Sequence, residues 1–357
     1  MKIGILTYHR SYNYGALLQA IALREILVSE GHQVFYVDYW PAYHRHRYAL
    51  FSFSWMMSRK SLRGKLGYIK DSIFNYRYRK MRNGKFVKFI SQYIEPFALS
   101  CDDTYDVIIH GSDQIWRKQP EMNKYNPIYF GKNQIKAYKK ISYAASMGIL
   151  PDQESDFRTL KSYISHLTSI SVREGNLLNL IEQLGFTNVT QDLDPTLLTT
   201  SDFWVNRFKL RKYNEKYALC YQLQDTFSMS DLIRYTEEKG LKLIVVQGKR
   251  PLNSLNQTVV ASPEQFLELI YGAEIVFTSS FHGVALSLLF HKPFYASFDN
   301  NANRVLSLLK ILKLEYRVIP PKSSLKEIDY NIDYTQVDQM LNRLRNKSLS
   351  RLLSMIS

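Results

Sequence analysis

The chain has 357 residues, of which 45% are hydrophobic and 14% aromatic, and its formal net charge is +15. This length favours two domains, and no apolar stretch approaches the roughly 18 residues typical of a membrane span. The N-terminus lacks the apolar core and cleavage site of a signal peptide. The two cysteines, Cys101 and Cys220, are too few for a disulfide framework and lack partners at zinc-ligand spacing. We therefore expect a cytoplasmic protein that holds no metal.

The opening of the chain is predicted to alternate between strand and helix. Strands are predicted at residues 3–6 and 33–38, and amphipathic spacing predicts a helix at residues 16–30 between them. This order implies parallel strands joined by a right-handed crossover. Because ligands of parallel sheets gather at the carboxyl ends of the strands, the loop at residues 12–15 is a candidate site. The Gly-x-Gly-x-x-Gly fingerprint is missing, which disfavours a nicotinamide cofactor.

A basic region follows, at about residues 43–92, and it is predicted to be mainly helix and loop. Between residues 45 and 88, lysines and arginines are opposed by a single acid, Asp71, and aromatic and apolar residues lie among them. This mixture fits an anionic membrane surface, a nucleic-acid backbone or a solvated helical face without a specific partner. No nucleic-acid-binding motif accompanies the charge, so we expect no nucleic acid. Peripheral membrane contact and a plain solvated face stay open as alternatives.

The middle of the chain repeats the pattern of a strand that runs into a polar turn. One predicted strand ends in a glycine turn with Asp113 and Gln114, and another ends with Arg173. Asp194-Pro195 is a strong turn signal and closes the first predicted domain. The sequence predicts strands at residues 106–109, 140–145 and 168–173, and a helix at residues 175–184.

The second half begins near residue 199 and again alternates between the two kinds of element. Ser262 is predicted as a helix N-cap, with Pro263 in the first helical position and Gln265 at the capping-box position. The closing segment, residues 334–356, is predicted to form one or two helices. The sequence also predicts strands at residues 217–222 and 242–247, and helices at residues 228–239, 262–271 and 301–312.

Residues 275–294 are the stretch around which we interpret the chain. A short apolar strand at residues 275–277 is followed by small hydroxyl residues, by His282 on a predicted turn and by an apolar helix that Pro293 ends. Unsatisfied backbone N–H groups and the positive end of a helix dipole meet at such a turn, which suits a phosphate or a carboxylate. The alternative is a capped helix whose histidine merely packs.

Alternation of strand and helix throughout predicts an α/β protein. We expect an N-terminal domain at residues 1–198 with the basic helical insertion at about 43–92. We expect a C-terminal domain at residues 199–357 that includes the closing helices at 334–356. Two Rossmann-like domains that face each other would form a cleft lined by the carboxyl ends of their strands.

Five segments, in this order along roughly residues 3 to 312, resemble the polysaccharide pyruvyl transferase family. The resemblance implies two facing α/β domains, like those of GT-B glycosyltransferases. It also implies transfer of the enolpyruvyl group of phosphoenolpyruvate onto two sugar hydroxyls, which forms a cyclic ketal and releases phosphate. The segments are SYNYGALLQA (11–20), GSDQIW (111–116), SYAASMG (142–148), SVRE (171–174) with DPT (194–196), and TSSFHG (278–283) with KP (292–293).

The resemblance also implies roles for individual residues. His282 is expected to protonate the alkene carbon as a general acid, and Asp113 to orient or deprotonate the acceptor hydroxyl. No metal or cofactor is required, since phosphoenolpyruvate is itself the donor. Donor-binding residues are expected to be Arg173, Ser279, Ser280, Gly283, Val284 and Arg304, and acceptor-binding residues Asn13, Tyr14, Gly15 and Gln114.

One position departs from the family pattern. Many members have an arginine two positions before the histidine, where this chain has Ser280. Either another cation such as Arg304 or Arg173 replaces it, or a different donor binds, or the activity is lost. The expected function is therefore a pyruvyl transferase that acts on a lipid-linked sugar and contacts the membrane through residues 45–88. The alternatives are a GT-B glycosyltransferase that uses a nucleotide sugar and a non-catalytic protein that binds carbohydrate or membrane.

Overall fold

The computed structural model describes residues 1–59, 61–119, 122–246, 258–299, 302–325 and 328–357. Lys60, Gln247 and Asn301 belong to predicted segments and lie outside these residues. Two parallel sheets, one of seven strands and one of five, organise the described chain. The predicted α/β class with two Rossmann-like domains is confirmed.

The first sheet is built from the N-terminal half of the chain. All of its neighbouring strands pair in parallel. In sequence order, its strands are β1 (Lys2–Leu6), β2 (Gln33–Val37), β3 (Ala98–Leu99), β4 (Thr104–Asp113), β5 (Lys136–Ala145), β6 (Ile170–Val172) and β7 (Val189–Gln191). Their order across the sheet is β3-β2-β1-β4-β5-β6-β7. From β1 the strands are added first toward one edge of the sheet (β2, β3) and then, from β4 onward, toward the other edge. Such a change in strand order leaves a crevice at the carboxyl ends of β1 and β4.

Helices cover this sheet, and four of them make up the basic insertion between β2 and β3. The buried helix α1 begins one residue after Asn13, whose side chain accepts a hydrogen bond from the Ala16 N–H at 3.2 Å. The helices of this half are α1 (Tyr14–Ser29), α2 (Ala42–Tyr48), α3 (Phe53–Met57), α4 (Leu62–Phe74), α5 (Tyr76–Tyr93), α6 (Glu154–Ile164), α7 (Gly175–Gln183), α8 (Pro195–Leu198) and α9 (Ser201–Phe208).

The second sheet is smaller and also parallel. It consists of β8 (Tyr217–Tyr221), β9 (Lys242–Val246), β10 (Thr258–Val259), β11 (Ile275–Thr278) and β12 (Phe294–Ala296), in the order β10-β9-β8-β11-β12. Its helices are α10 (Met229–Glu238), α11 (Pro263–Gly272), α12 (Phe281–Leu289) and α13 (Asn303–Ile311). The predicted capping box at α11 is confirmed, with Ser262 and Gln265 exchanging side-chain and backbone hydrogen bonds.

The last helix, α14 (Tyr334–Ile356), is a single helix that spans both halves of the molecule. Near its start, the Tyr334 hydroxyl donates to the Lys292 carbonyl at 2.6 Å. Further along, the Ser348 hydroxyl accepts from the Leu193 N–H at 3.1 Å, so this part lies against the N-terminal half. The domain boundary at residue 198 stays a prediction. No helix in the described residues combines the length and the apolar character needed to cross a bilayer.

One apolar core runs through both halves. It includes Leu17 and Ile21 of α1, Leu197 of α8, Phe266 of α11 and Val284 of α12. Helix α1 therefore lies between the two sheets rather than on an outer face. This packing brings the carboxyl ends of β4, β5 and β6 close to the turn between β11 and α12.

Candidate active site

An ion pair with almost no solvent exposure lies at the centre of the gap between the sheets. Arg173 follows β6 and Asp194 precedes α8, and the Arg173 Nη2 lies 2.6 Å from the Asp194 Oδ2. The Ser112 hydroxyl, at the end of β4, donates to the same carboxylate oxygen at 3.2 Å and accepts from Arg173. The other carboxylate oxygen accepts from the Thr196 N–H at 2.9 Å and from its hydroxyl at 2.6 Å. Three strand ends are thus tied together by one carboxylate.

Asp194 carries a negative charge despite its burial. Burial raises the pKa of a carboxyl group, but the charge of Arg173, the proximity of the His282 imidazole and the hydrogen bonds from Thr196 outweigh it. The net result is that the pKa of Asp194 is held well below its usual value. The site therefore has a fixed anion around which cations gather.

His282 reaches this anion from the other domain. It lies in the first turn of α12, not on the preceding turn as predicted, because the helix begins at Phe281. Its Nε2 lies 3.5 Å from the Asp194 Oδ2, and its side chain is 7% exposed. The ring fills the space next to Gly15 in α1, where an added Cβ would lie 1.9 Å from its Nδ1. The imidazole is thus held between two segments of the N-terminal domain.

A second cation, Arg304, stands beside the ion pair of Arg173 and Asp194. Arg173 and Arg304 both face the Phe281 ring, with guanidinium-to-centroid distances of 4.9 and 5.8 Å. Burial, and then the charge of Arg173, lower the pKa of Arg304. Within the described residues, the buried Nε and Nη1 of Arg173 and the Nε of Arg304 have no hydrogen-bond partner. Two neighbouring guanidinium groups with unused donors are what an anionic ligand would satisfy.

A cavity of about 310 Å³ opens next to these two arginines. Lys347 and Arg351 of α14 add further positive charge to its wall, while Leu308 and Leu344 supply apolar surface. Arg351 also donates to the Gln191 carbonyl at 3.1 Å, which joins α14 to β7. Asp192 and Asp194 also line the cavity, but they pair with Arg351 and Arg173, so the excess charge of the wall is positive. The cavity therefore suits a small anion with an apolar portion.

The sequence profile of polysaccharide pyruvyl transferases matches residues 13–301 of the chain. The chain belongs to the polysaccharide pyruvyl transferase family. The matched range contains His282, Asp194 and Arg173, and it includes every predicted site residue except Arg304. No curated protein sequence matches the chain significantly.

Solved structures resemble the chain only distantly. A UDP-GlcNAc 2-epimerase from Methanocaldococcus jannaschii is 12% identical with a TM-score of 0.48, over 100% of this chain and 99% of that one. The glycosyltransferase SnogD from Streptomyces nogalater is 11% identical with a TM-score of 0.41, over 100% of both chains. The E. coli heptosyltransferase WaaC, solved with ADP, is 11% identical with a TM-score of 0.38, over 96% and 99%. These similarities carry no information about the substrate.

In this member of the family, the small residues before α12 mainly build the turn. The Ser279 hydroxyl accepts from the Leu223 and Gln224 N–H groups at 2.7 and 3.0 Å, so it is already engaged. The Val284 N–H donates to the Ser280 carbonyl at 3.1 Å and is not free to bind a phosphate, contrary to the expectation from the sequence. An added Cβ on Gly283 would lie 2.3 Å from the Thr278 hydroxyl oxygen, so glycine permits close packing here.

The residues expected to bind the acceptor fall into two groups. Tyr14 is 4% exposed, stacks on Phe266 at 4.3 Å and donates to the Ala261 carbonyl at 2.9 Å. It joins the domains rather than facing a ligand, which corrects its predicted role. Gly15 makes room for His282, and Asn13 caps α1.

Asp113 and Gln114 lie at the end of β4, as predicted, and both are half-buried. The Asp113 carboxylate accepts from the Gln114 N–H at 2.8 Å. Its negative charge also raises the pKa of Arg304, against the larger lowering by burial and by Arg173. The Gln114 side chain reaches Gly148, where an added Cβ would lie 2.4 Å from its Nε2. These two residues therefore lie at the carboxyl end of the first sheet, beside the turn that follows β5.

Several members of the site were not predicted. Asp194 was interpreted only as a turn signal, although its carboxylate holds both Arg173 and His282. Glu174 is buried and accepts from the Ser146 hydroxyl and from the Met147 and Gly148 N–H groups, which fixes the turn after β5. The signal was present in the family segments, since Ser112, Glu174 and Asp194 all belong to them. In the described residues, no three acids, histidines or cysteines are arranged to hold a metal ion.

Proposed function

We propose that this pyruvyl transferase moves the enolpyruvyl group of phosphoenolpyruvate onto two hydroxyls of a lipid-linked polysaccharide intermediate, as a pyruvate ketal. The observation that carries the proposal is that Arg173 and Arg304 face the Phe281 ring, while His282, the next residue, faces the carboxylate that pairs with Arg173. Phosphoenolpyruvate has two anionic groups and an alkene to be protonated, so it needs two cations and an acid in close proximity.

The chemistry requires two hydroxyl protons and one leaving group. His282 protonates the alkene CH₂ carbon, and the first sugar hydroxyl bonds to the neighbouring carbon. The C–O bond to phosphate then breaks, the second hydroxyl bonds to the same carbon, and the ring closes. One of the two hydroxyl protons restores the imidazolium and the other leaves with phosphate. Asp194 supplies the counter-ion for the protonated imidazole.

The remaining roles follow from position. Arg173 and Arg304 would hold the carboxylate and the phosphate through the nitrogens that have no protein partner. Arg304 would thereby replace the family arginine that is absent at Ser280, since its guanidinium lies over the adjacent Phe281. Asp113 would orient the acceptor, with Gln114 and Asn13 nearby.

The basic insertion is proposed to bring the enzyme to the membrane face. Its exposed apolar side chains include Phe53, Leu62, Leu66 and Ile73, which are 66%, 74%, 58% and 73% exposed. Apolar side chains among lysines and arginines suit peripheral contact with anionic lipid.

The test is phosphate release from phosphoenolpyruvate in the presence of a panel of lipid-linked sugars. We expect acceptor-dependent release, and we expect His282→Ala to lower the rate by about 10²–10⁴-fold, because a general acid is lost. The matched control is His291→Ala, since His291 is exposed and pairs with Asp338 at 3.0 Å outside the cleft. A thermal shift with a nucleotide sugar but not with phosphoenolpyruvate would instead favour glycosyl transfer. Equal activity of both variants would remove His282 from the mechanism.

A further inference from the structure

A second cationic cavity lies within the basic insertion, apart from the cleft between the domains. Its volume is about 280 Å³. Four arginines line it, Arg47, Arg59, Arg79 and Arg82, against a single acid, Asp71. We call this cavity the arginine pocket.

Three of the four arginines that line the pocket have no acidic partner in the part of the chain that the structure describes. Arg59, Arg79 and Arg82 have no carboxylate within 4.0 Å among the described residues. Asp71 instead accepts from the Asn75 side chain at 2.9 Å. Like charges held in one concavity repel each other, and a bound anion removes that cost.

The guanidinium groups are held in place by neutral partners. Arg79 donates to the Ala49 carbonyl at 3.2 Å, and Arg82 donates to the Tyr12 carbonyl. Arg59 lies over the Tyr68 ring, 5.9 Å from its centroid. Each of these contacts leaves other guanidinium N–H groups for a ligand, since arginine has five donors. Positioned arginines favour phosphate because the planar fork matches two of its oxygens.

The size and charge of the pocket point to more than one phosphate. A volume of about 280 Å³ is roughly nine times the share of one water molecule in the liquid, which leaves room for two linked phosphates. Several arginines around a single phosphate would leave excess positive charge, whereas a diphosphate balances it.

The pocket also borders the proposed acceptor side of the active site. Tyr48 lines the pocket, and its ring stands 4.8 Å from the ring of Tyr12, the neighbour of Asn13. Arg82, which lines the pocket, donates to the Tyr12 carbonyl, so the pocket adjoins the loop at residues 12–15. A group attached to a diphosphate in the pocket would therefore lie next to this loop.

We propose that the arginine pocket binds the diphosphate of a sugar diphosphate acceptor and so directs its sugar toward the active site. The directing role rests on the proposed pyruvyl transfer, but binding of the diphosphate does not. Such a diphosphate occurs on lipid carriers and on nucleotide sugars. The apolar side chains of Phe53, Leu62 and Leu66, on helices that also line the pocket, favour the lipid.

The experiment is calorimetric titration of the full chain with inorganic pyrophosphate, farnesyl diphosphate and UDP-glucose, without phosphoenolpyruvate. The pocket variant is Arg59→Gln/Arg79→Gln, and the matched control is Arg63→Gln/Arg77→Gln, which removes the same charge from exposed positions of α4 and α5. We expect the pocket variant to bind farnesyl diphosphate at least about tenfold more weakly, and the control to stay within about twofold. Arg59→Gln alone, at an exposed residue, provides a variant whose fold is not at risk.

Equal losses in both double variants would show general charge attraction and overturn the site, as would unchanged binding in Arg59→Gln and the pocket variant alike. Tighter binding of farnesyl diphosphate than of UDP-glucose would identify the lipid as the source, and the reverse order the nucleotide. Diphosphate binding without phosphate release from phosphoenolpyruvate would refute the proposed function and leave the pocket standing. If the wild type releases phosphate and the pocket variant keeps the same KM for the acceptor, the directing role of the pocket would be refuted and the proposed function would stand.

Discussion

At the scale of single residues, the site depends on one carboxylate that serves two cations. Asp194 is paired with Arg173 in its own domain and faces His282 of the other. Removing the charge of Asp194 or of Arg173 leaves its partner buried without a counter-ion. The resulting loss of stability is larger than the net contribution of the intact pair. The same carboxylate therefore stabilises the fold, through Arg173, and positions the proposed acid, His282.

Asp194→Asn should lower the free energy of unfolding by about 3–5 kcal/mol at pH 7, because Arg173 would be left buried and unpaired. The low folded-state pKa of Asp194 means that its contribution is complete above the unfolded value of about 3.9 and is lost as pH falls through the folded value. The difference between wild type and variant should thus shrink below about pH 4. Urea unfolding across pH measures this, with the exposed Asp202→Asn as control.

The contradicting result would be a stability difference that stays constant as the pH falls. A loss in Asp194→Asn no larger than that in Asp202→Asn would have the same meaning. Either would show that Asp194 is not the anion that holds the arginine.

Gly15 offers a test of how tightly the imidazole is held. Gly15→Ala would place a methyl group 1.9 Å from the His282 Nδ1, so the ring or α1 must shift. We expect a loss of about 1–3 kcal/mol in unfolding free energy, with slower phosphate release. Gly84→Ala, in the interior of α5 with open space around it, should instead stabilise by about 0.5–1 kcal/mol. Urea unfolding of the two variants decides the matter, and opposite signs are the expected outcome.

At the scale of elements, the turn from β11 into α12 contains two adjacent serines with different hydrogen bonding. Ser279 holds the loop after β8 through two backbone N–H groups. Ser280 is the N-cap residue of α12, yet its side chain makes no capping hydrogen bond. We therefore expect Ser279 to be structural, and we keep the predicted donor contact for Ser280.

Ser279→Ala should cost about 1–3 kcal/mol of unfolding free energy, since two buried donors lose their acceptor. Its KM for phosphoenolpyruvate should stay close to the wild-type value. Ser280→Ala should show the reverse, a raised KM with a smaller change in stability. Steady-state kinetics and urea unfolding on both variants measure the two effects. If KM rose in Ser279→Ala and not in Ser280→Ala, the donor contact would belong to Ser279, and the assignment to Ser280 would be wrong.

Elements with a clear apolar pattern could be predicted from the sequence, and contacts between elements could not. The strand before His282 and the capping box at α11 were predicted because their signals are local. The strands β3 and β10, with two residues each, are too short to show periodicity. Tyr14 was misassigned and Asp194 was missed for a shared reason. Nothing near either residue reports that a distant segment packs against it.

At the scale of the molecule, the two halves are joined by a continuous core and by polar contacts around its edge. The Gln191 side chain donates to the Ser307 hydroxyl at 2.9 Å, and Lys85 of α5 donates to the Val260 carbonyl at 2.7 Å. The basic insertion is therefore tied to the second sheet as well as to the first. Its exposed apolar side chains lie beyond these contacts and are left for other partners.

The placement of His282 on one domain and of its carboxylate on the other has a consequence for how the enzyme is assembled. Neither half alone brings the proposed acid next to its counter-ion, because the apolar core that both halves share sets their spacing. Substitutions that loosen this core should therefore slow phosphate release as well as lower stability, even where they lie far from the ligand.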